Sequence, residues 1–459
     1  MPETPSQNLP RLLYQLDDRP PVGPALLAAL AHLLAIVASI MTAPLLIARG
    51  IGLDAALTTY AIASALVVSG LATAVQILRP FGLGSGLLSI QGTSFTFIGP
   101  FVFATALLGP ELSAEERMGT LLGSAAAGAF ITFIAGYFIE SLQRIFTRRV
   151  AGTVIFLLGL SLVDSAWSNL QRAAGAAGAE ASWIWIQALV VIVVITACSR
   201  LPSLWVRLGS ICIGLLAGCA VAAATTGLKP APEAAGFTPL AFWPYPLTVS
   251  FAIVPLLLPI FLVSMTESVG DLTATAMLSR QPLAGPKYWR RVRGGIMADG
   301  ANSILAALFG SFPNTTFSQN NGVIQLTGVA SRFVGLLVAA GLIVAGLIPA
   351  LAANFQRLPD GVLYGATGLM FALIAVAGLR ILWLEAPRVP ALTLALAATL
   401  GAFALSGLPQ LAAAWDRPLG DYAAMLLGFP VATGAMLAVT FECLLLLLGR
   451  TAARAYQHH

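Results

Sequence analysis

Residues 312–332 read FPNTTFSQNNGVIQLTGVASR, and seven amide or hydroxyl side chains crowd the first half of this stretch. Long apolar runs precede and follow it, so a lipid-facing helix here would leave many polar groups without hydrogen-bond partners. Pro313 removes a backbone donor and Gly322 loosens the backbone, which predicts a broken helix. Because irregular backbone at membrane depth must be buried in protein or line a cavity, we interpret this stretch as a binding site.

The composition of the whole chain is that of a polytopic membrane protein. Hydrophobic residues make up 58% of the 459 residues, charged residues 9%, and the mean hydropathy is +0.88, whereas a soluble domain carries about 25% charged residues. We therefore expect one membrane unit of about 12 to 14 helices, since each crossing needs roughly 20 residues. The net charge of +5 is spread over short loops, which does not indicate nucleic-acid binding.

Apolar runs punctuated by charges, proline or glycine predict fourteen membrane-spanning segments. They lie at 24–47, 53–78, 83–108, 117–139, 150–167, 183–199, 206–226, 247–272, 293–310, 314–328, 333–353, 361–382, 389–408 and 422–449. If the N-terminus is cytoplasmic, eighteen Lys and Arg residues fall in cytoplasmic loops and six in outer loops. The positive-inside rule then predicts a multi-pass protein of the cell membrane with both termini in the cytoplasm. Residues 168–182 are expected to form an outer loop and the basic residues 279–293 a cytoplasmic loop.

An even number of spans permits an inverted repeat of seven plus seven segments, a common plan of secondary transporters. A local trace of such a repeat is present. Residues 92–95 read GTSF in the third segment, and residues 314–317 read NTTF in the tenth. Each places two hydroxyl side chains before a phenylalanine, seven segments apart.

Four acidic residues lie inside predicted spans and are candidate functional groups, because buried charge is costly there. They are Glu267, Asp271, Asp299 and Glu442. Glu267 and Asp271 are four positions apart, so they share one face of a helix. In a poorly hydrated site the two carboxylates are not expected to be ionised together, which provides a group that takes up and releases a proton. The alternative is that one of them only hydrogen-bonds the backbone.

Two long motifs carry a resemblance to a known family. Residues 319–328 read QNNGVIQLTG, the run continues as VASR to residue 332, and residues 267–276 read ESVGDLTATA. The first run resembles the signature of the nucleobase–ascorbate transporter family, also called nucleobase–cation symporter 2. In its longer form it is most similar to the bacterial xanthine and urate permeases. The resemblance extends from about His32 to the end of the chain.

The resemblance implies a fold and a domain plan. The fold is an all-α polytopic membrane protein, with short β-strands that interrupt spans 3 and 10 of the 7+7 inverted repeat. A substrate-carrying core would consist of residues 24–139 and 247–353. A gate that also forms a homodimer would consist of residues 150–226 and 361–449. Residues 1–23 and 450–459 would be cytoplasmic tails, and the core would slide against the gate by an elevator mechanism.

The resemblance also implies site residues. A purine edge alternates N–H donors with carbonyl acceptors, which a carboxylate and a primary amide can read together. Glu267 would be the principal substrate ligand and Gln319 its partner. Backbone groups at Phe317 and Ser318 would help, and the ring of Phe95 would stack on the base. Further implied residues are Ser94, which leaves room beside the ring, Asn320, which tunes selectivity, and Asp271, Asp299 and His32, which support the site or relay the proton.

The function expected from these residues is import of a purine, xanthine or urate, in symport with protons. No cofactor, metal site or enzymatic activity is implied, since the chain has one internal histidine and no HExxH or CxxC spacing. Open alternatives are uracil or another nucleobase as substrate and Na⁺ as coupling ion. A channel would need more polar spans, and an intramembrane enzyme would need a nucleophile and a base. A dicarboxylate- or sulfate-type anion carrier fits poorly with Glu267 and Asp271.

Overall fold

The computed structural model describes residues 12–109, 111–142, 147–228, 240–384 and 430–456, with short pieces at 397–402, 404–405 and 427. These residues form a predominantly helical protein with two short strands. The helices are α1 Val22–Gly50, α2 Ala55–Leu78, α3 Ile98–Thr105, α4 Ala114–Tyr137, α5 Ile139–Leu142, α6 Arg148–Ala176, α7 Ala181–Arg200, α8 Leu204–Leu208, α9 Ser210–Ala224, α10 Val254–Leu278, α11 Gly285–Leu308, α12 Gln319–Thr327, α13 Arg332–Gly346, α14 Pro349–Gln356, α15 Asp360–Leu384 and α16 Pro430–Tyr456. The strands are β1 Gln91–Thr93 and β2 Asn314–Thr316.

Local sequence explains where several helices begin and end. Asp54 accepts a hydrogen bond from the Leu57 amide and so caps α2. Ser113 and Glu116 form a reciprocal capping box at the start of α4. Helix α2 ends at Arg79, which adopts a left-handed backbone conformation and whose amide bonds the carbonyl of Val75. These polar caps fix the membrane-spanning apolar runs to defined lengths.

Seven of the described helices are long and apolar enough to cross a membrane. They are α1, α2, α4, α6, α7, α10 and α15. Helices α13 and α14 together would make an eighth span, bent by 73° between Gly346 and Pro349. The protein is therefore a multi-pass membrane protein. The predicted total of fourteen spans stays a prediction, because most of the thirteenth segment, part of the fourteenth and both chain ends lie outside the described residues.

Two expected loops were wrong in part, because both are partly helical, and the third predicted span begins with a loop. The expected outer loop at 168–182 is largely helical, because the alanine-rich sequence continues α6 to Ala176 and α7 begins at Ala181. The expected basic loop at 279–293 includes the first turns of α11, with Pro286 in the first turn, where proline is tolerated. The third segment is helical only from Phe95, since Gly84 and Gly86 have positive φ angles and hold residues 83–90 in a loop.

The two strands pair with each other although they are far apart in sequence. They run antiparallel, with Gln91 opposite Thr316, Gly92 opposite Thr315 and Thr93 opposite Asn314. Every residue of both strands is buried. Helix α10 and helix α11 pack against β2, and α2 packs against β1. Each strand is followed directly by a short helical segment, so the pair brings two helix N-termini to one place.

The helices pack in two groups. In the first group, α11 packs on α4 and α2, and α13 packs on α2 and α1. In the second, α15 packs on α6 and α7, α9 packs on α7, and α16 packs on α6. The strand pair and α10 belong to the first group. The site described below therefore lies on the first group and faces helices of the second.

Candidate substrate site

Two carboxylates of α10 lie one helical turn apart and contact hydroxyl groups from opposite ends of the strand pair. Both Glu267 and Asp271 are half-buried. Thr96, just after β1, places its Oγ1 3.5 Å from Glu267 Oε2. Thr316, the last residue of β2, donates from Oγ1 to Asp271 Oδ2 over 3.3 Å. The turn after β1 and the end of β2 thus each supply one hydroxyl group, Thr96 for Glu267 and Thr316 for Asp271.

A third carboxylate, that of Asp299 on α11, lies behind the strands and is buried. Ser268 Oγ donates to Asp299 Oδ2 over 2.5 Å, and Gln76 Nε2 of α2 donates to Asp299 Oδ1 over 2.8 Å. Ser268 also lies 3.1 Å from the hydroxyl group of Thr315 in β2. Asp299 therefore joins α2, α10, α11 and β2 through side-chain hydrogen bonds, which is an arrangement suited to holding these elements in place.

The motif helix α12 begins at Gln319, immediately beyond β2. Ser318 is exposed and Gln319 half-buried, so this end of the helix is accessible. Asn320 is buried, and its Nδ2 donates to the carbonyl of Leu88 over 2.6 Å. Asn321 accepts a hydrogen bond of 2.6 Å from Thr275 of α10. These two asparagines fix the position of α12, which leaves Gln319 as the amide with access to the site.

The imidazole of His32 on α1 is fully buried and lies against the Asn320 amide. Neither ring nitrogen of His32 nor Oδ1 of Asn320 has a partner with strict hydrogen-bond geometry among the described residues. His32 contacts the motif helix behind Gln319 rather than at the accessible end. Its position favours support of α12 over direct substrate contact.

Aromatic rings surround the helical turn Phe95–Phe97, which follows β1. The rings of Phe95 and Phe317, which follow β1 and β2, have centroids 6.2 Å apart. Phe371 of α15 meets Phe95 edge-on at 5.5 Å. Ser94 is buried and accepts a hydrogen bond from the Thr96 amide, which places Phe95 at the beginning of the turn Phe95–Phe97. Phe95 therefore lies between the strand pair and the second helix group.

This arrangement can bind a planar, largely neutral molecule with several hydrogen-bonding groups. Half-buried carboxylates accept N–H groups, Gln319 can donate and accept, and the N-terminus of α12 offers backbone N–H groups with a partial positive charge. Within the described part of the chain, no group of three or more His, Cys, Asp and Glu side chains is arranged to hold a metal ion. Recognition by hydrogen bonds and aromatic contact is thus the chemistry that these side chains provide.

The structure brings most of the predicted site residues onto adjoining elements. Glu267 and Asp271 lie on α10, Phe317 and Ser318 directly after β2, Gln319 and Asn320 on α12, and Ser94 and Phe95 directly after β1. Asp299 and His32 lie behind this surface. Glu442 lies on a different element, α16, and pairs with Arg149 of α6 over 3.0 Å.

Four contacting residues were not predicted: Gln76, Thr96, Ser268 and Phe371. Gln76 is a polar residue within the second predicted span, and this signal could have identified it. Thr96 directly follows the GTSF run, and Ser268 belongs to the quoted α10 motif, so both could have been included. Phe371 is one aromatic residue in an apolar span, and no local pattern distinguishes it from lipid-facing neighbours.

Comparison with known proteins gives relatives over most of the chain. A sequence model of a family described as the permease family matches residues 23–407. The xanthine permease XanQ of Escherichia coli strain K12 is 39% identical over 382 residues, which are 81% of this chain and 81% of that protein. The uric acid-xanthine permease of Emericella nidulans is 32% identical over 402 residues, which cover 80% of this chain and 70% of that protein.

Solved structures share the fold at much lower sequence identity. The transmembrane domain of the cyanobacterial bicarbonate transporter BicA has a TM-score of 0.57 at 13% identity and covers 94% of this chain and 100% of that chain. Murine Solute Carrier 26 family member A9, an anion transporter in the inward-facing state, has a TM-score of 0.63 at 14% identity. The match covers 94% of this chain and 69% of that chain. These likenesses concern the fold alone. The sequence matches are specific, and the chain belongs to this permease family, the nucleobase–ascorbate transporter family that its two motifs indicate.

Proposed function

We propose that this protein is a secondary active symporter that imports a purine nucleobase, xanthine or urate, together with protons. The observation that carries the proposal is the surface where Glu267 and Asp271 of α10 adjoin the strand pair and the start of α12. Xanthine and uric acid-xanthine permeases among the relatives support the choice of substrate class.

Substrate recognition would use the accessible groups of this surface. Glu267 would accept ring N–H groups of the purine, and Gln319 would both donate to and accept from its edge. Backbone groups at Phe317 and Ser318 would complete the contacts, since Ser318 is the most accessible of these residues. The ring of Phe95 would cover one face of the base, as aromatic rings do in sites for planar heterocycles.

Proton coupling would use the carboxylates of α10. Glu267 and Asp271 are half-buried on one helix face, and two negative charges so placed repel each other. Binding of one proton would relieve this repulsion and allow the other carboxylate to bind the purine. Asp299 would hold the α10–β2–α2 contacts during the cycle. Na⁺ in place of H⁺ is the alternative coupling ion.

Movement would follow the elevator plan of fourteen spans in a 7+7 inverted repeat. The first helix group would be the substrate-carrying core, and the second the gate, which would form a homodimer. The observed packing supports this division, because site-bearing α10, α12 and both strands belong to the first group while Phe371 of the second group contacts Phe95. Both termini would be cytoplasmic, as the distribution of basic residues predicts.

The shared fold favours one second candidate, an anion carrier, because the two fold neighbours are a bicarbonate transporter and an anion transporter. The helix N-terminus at Gln319 would suit an anion. Three carboxylates at or behind the site, those of Glu267, Asp271 and Asp299, would repel one. The local charge therefore favours a neutral purine such as xanthine over a permanently charged anion, with uracil as the alternative nucleobase.

The test is uptake of radiolabelled xanthine and urate by proteoliposomes with an imposed proton gradient. We expect accumulation by the wild type, its collapse on addition of a protonophore, and its loss in Glu267→Gln. Glu115→Gln is the matched control, because Glu115 is an exposed carboxylate in the first turn of α4. No uptake of either purine by folded wild-type protein would contradict the proposal, and uptake that depends on sodium would contradict proton coupling.

A further inference from the structure

The loop between α2 and β1 exposes a phenylalanine in an unfavourable backbone conformation. Phe81 has a φ angle of 54°, in the left-handed region that bulky side chains rarely adopt. Its side chain is fully exposed and contributes nothing to the protein core. Leu78, just before the loop, and Leu283, in the neighbouring connection between α10 and α11, are also exposed. A strained residue that gains no packing needs another explanation.

Hydrogen bonds from three side chains hold residues 84–86 of this loop. The amides of Gly82 and Leu83 bond the carbonyls of Arg79 and Pro80, so the backbone on both sides of Phe81 is held in place. Gln76 accepts from the Ser85 amide, Arg79 Nε donates to the carbonyl of Gly84, and Arg291 Nη1 donates to the carbonyls of Ser85 and Gly86. The loop also lies directly on α11, where a Cβ at Gly294 would come within 2.6 Å of the carbonyl of Gly82.

Four arginines surround the loop and give it a strong positive charge. A Cβ at Gly86 would lie 2.5 Å from Arg79 Cδ and 3.3 Å from Arg291 Nη1, so these two side chains are close to each other. Burial, followed by the charges of Arg290 and Arg332, lowers the pKa of Arg79, which follows the end of α2. Arg332 is paired with Asp17. Since only the carboxylate of Asp17 is seen to pair with one of these four described guanidinium groups, the cluster keeps an excess of positive charge.

We propose that this loop and its arginines form a binding site for an anionic phospholipid, with the phosphate at the arginine cluster and Phe81 in the boundary between headgroups and acyl chains. Exposed aromatic and aliphatic side chains beside clustered arginines match the two parts of such a lipid. The loop lies on the predicted cytoplasmic side, where anionic lipids attract basic segments. The site requires only that the protein spans the membrane, and it is independent of the transported substrate.

A purely structural role of the arginines is the competing explanation. It accounts for Arg79 and Arg291, which hold loop carbonyls. It does not account for Arg290, which is exposed and donates from Nε only to Pro286 of its own helix, or for the exposed ring of Phe81. Phe81 and Arg290 are therefore the residues that distinguish the two explanations.

The experiment is native mass spectrometry of the purified full chain titrated with phosphatidylglycerol or phosphatidylcholine. We expect the wild type to retain phosphatidylglycerol preferentially. Phe81→Asn removes the ring while keeping a residue that tolerates a positive φ angle, and Arg290→Gln removes one charge. Arg290→Gln should lower phosphatidylglycerol retention about fivefold, the change expected for one basic side chain near an anionic leaflet. Phe81→Asn should lower it as well, because the apolar contact with the acyl chains is lost. Phe251→Asn, at another exposed phenylalanine, and Arg200→Gln should retain it as the wild type does.

Two further measurements complete the test. Phosphatidylglycerol should raise the melting temperature of the wild type more than that of Phe81→Asn, which also shows that the variant is folded. Excess inorganic phosphate should leave phosphatidylglycerol bound, because the apolar contact is part of the site. Equal retention in Phe81→Asn and Phe251→Asn, or full displacement by inorganic phosphate, would overturn the proposal; the second result would identify a site for a free anion.

Discussion

Single hydroxyl groups decide how the carboxylates of α10 are held. Thr96 comes from the β1 side and Thr316 from β2, and each contacts a different carboxylate. Hydrogen bonds to charged groups are stronger than those between neutral groups, but at 3.5 Å the contact of Thr96 with Glu267 is long. Thr96 is therefore expected to orient Glu267 rather than to bind the purine itself.

Substitution of Thr96 by valine keeps the side-chain shape and removes the donor. We expect the KM for xanthine to rise about fivefold, the equivalent of about 1 kcal/mol, while the melting temperature stays near that of the wild type. Initial uptake rates over a range of xanthine concentrations measure this effect. Thr105→Val is the control, because Thr105 only bonds the carbonyl of Phe101 in its own turn. A KM equal to that of the control would show that Thr96 does not orient Glu267.

Gln76 links the buried carboxylate of Asp299 to the loop before β1. Its Nε2 donates to Asp299, and its Oε1 accepts from the amide of Ser85. Gln76→Leu would leave both groups buried without these partners, at a cost of about 1–3 kcal/mol for each. We expect a clear fall in melting temperature and in uptake. Gln171→Leu, at an exposed position near the end of α6, should change neither; equal melting temperatures of the two variants would refute this role.

At the scale of secondary-structure elements, the crossing of β1 and β2 depends on one glycine. A Cβ at Gly92 would lie 2.5 Å from the ring of Phe317 and 2.9 Å from Ile40 of α1. Glycine is needed here because the ring following one strand lies against the backbone of the other. The short strands, three residues each, are therefore held by side-chain packing as well as by their ladder of hydrogen bonds.

Gly92→Ala is expected to destabilise the protein by about 1–3 kcal/mol through overpacking, and to weaken purine binding because Phe317 and α12 must shift. Thermal unfolding and xanthine uptake measure the two effects. Gly175→Ala in α6 is the matched control, since nothing lies within 4 Å of its added Cβ and alanine favours the helix. If Gly92→Ala is as stable and active as Gly175→Ala, the close approach at the strand crossing is not required.

Elements with a distinctive local chemistry could be predicted from the sequence, whereas elements defined by distant contacts could not. The polar runs around Phe95 and Phe317 indicated the two broken segments, because polar side chains inside an apolar run need hydrogen-bond partners that a lipid-facing helix cannot provide. The alanine-rich continuation of α6 was wrongly expected to be a loop. Its polar residues indicated exposure to solvent, but the exposed end of a helix accommodates the same residues. The pairing of β1 with β2, and the contact between Phe371 and Phe95, join residues more than 200 positions apart, and no local pattern encodes them.

At the scale of the whole molecule, an ion pair between described residues joins the two helix groups. Arg49 near the end of α1 donates to Asp360 at the start of α15 over 3.0 Å. The same guanidinium group donates to the carbonyl of Gln356, just before the connection into α15. If the first helix group moves against the second, the ion pair between Arg49 and Asp360 must break, or the connection between α14 and α15 must move together with Arg49.

If the two groups move against each other as proposed, we expect Arg49→Gln and Asp360→Asn each to alter the initial rate of xanthine uptake, because the ion pair would form in only some of their relative positions. The charge-exchanged double variant, with Arg49→Asp and Asp360→Arg, should recover part of the wild-type rate. A double-mutant cycle of uptake rates, completed by the variant that combines Arg49→Gln with Asp360→Asn, measures the coupling. Strictly additive effects would indicate that the pair has no part in transport. Arg200→Gln, at an exposed arginine that ends α7, serves as the charge control.

The most direct test of coupled transport is proton entry driven by the purine alone. Proteoliposomes loaded with a pH-sensitive dye, with equal pH on both sides and no sodium, would receive external xanthine. Proton symport through this site predicts acidification of the lumen that tracks the entry of labelled xanthine and disappears in Glu267→Gln but not in Glu115→Gln. Entry of xanthine through the wild type without acidification would contradict proton symport by this site.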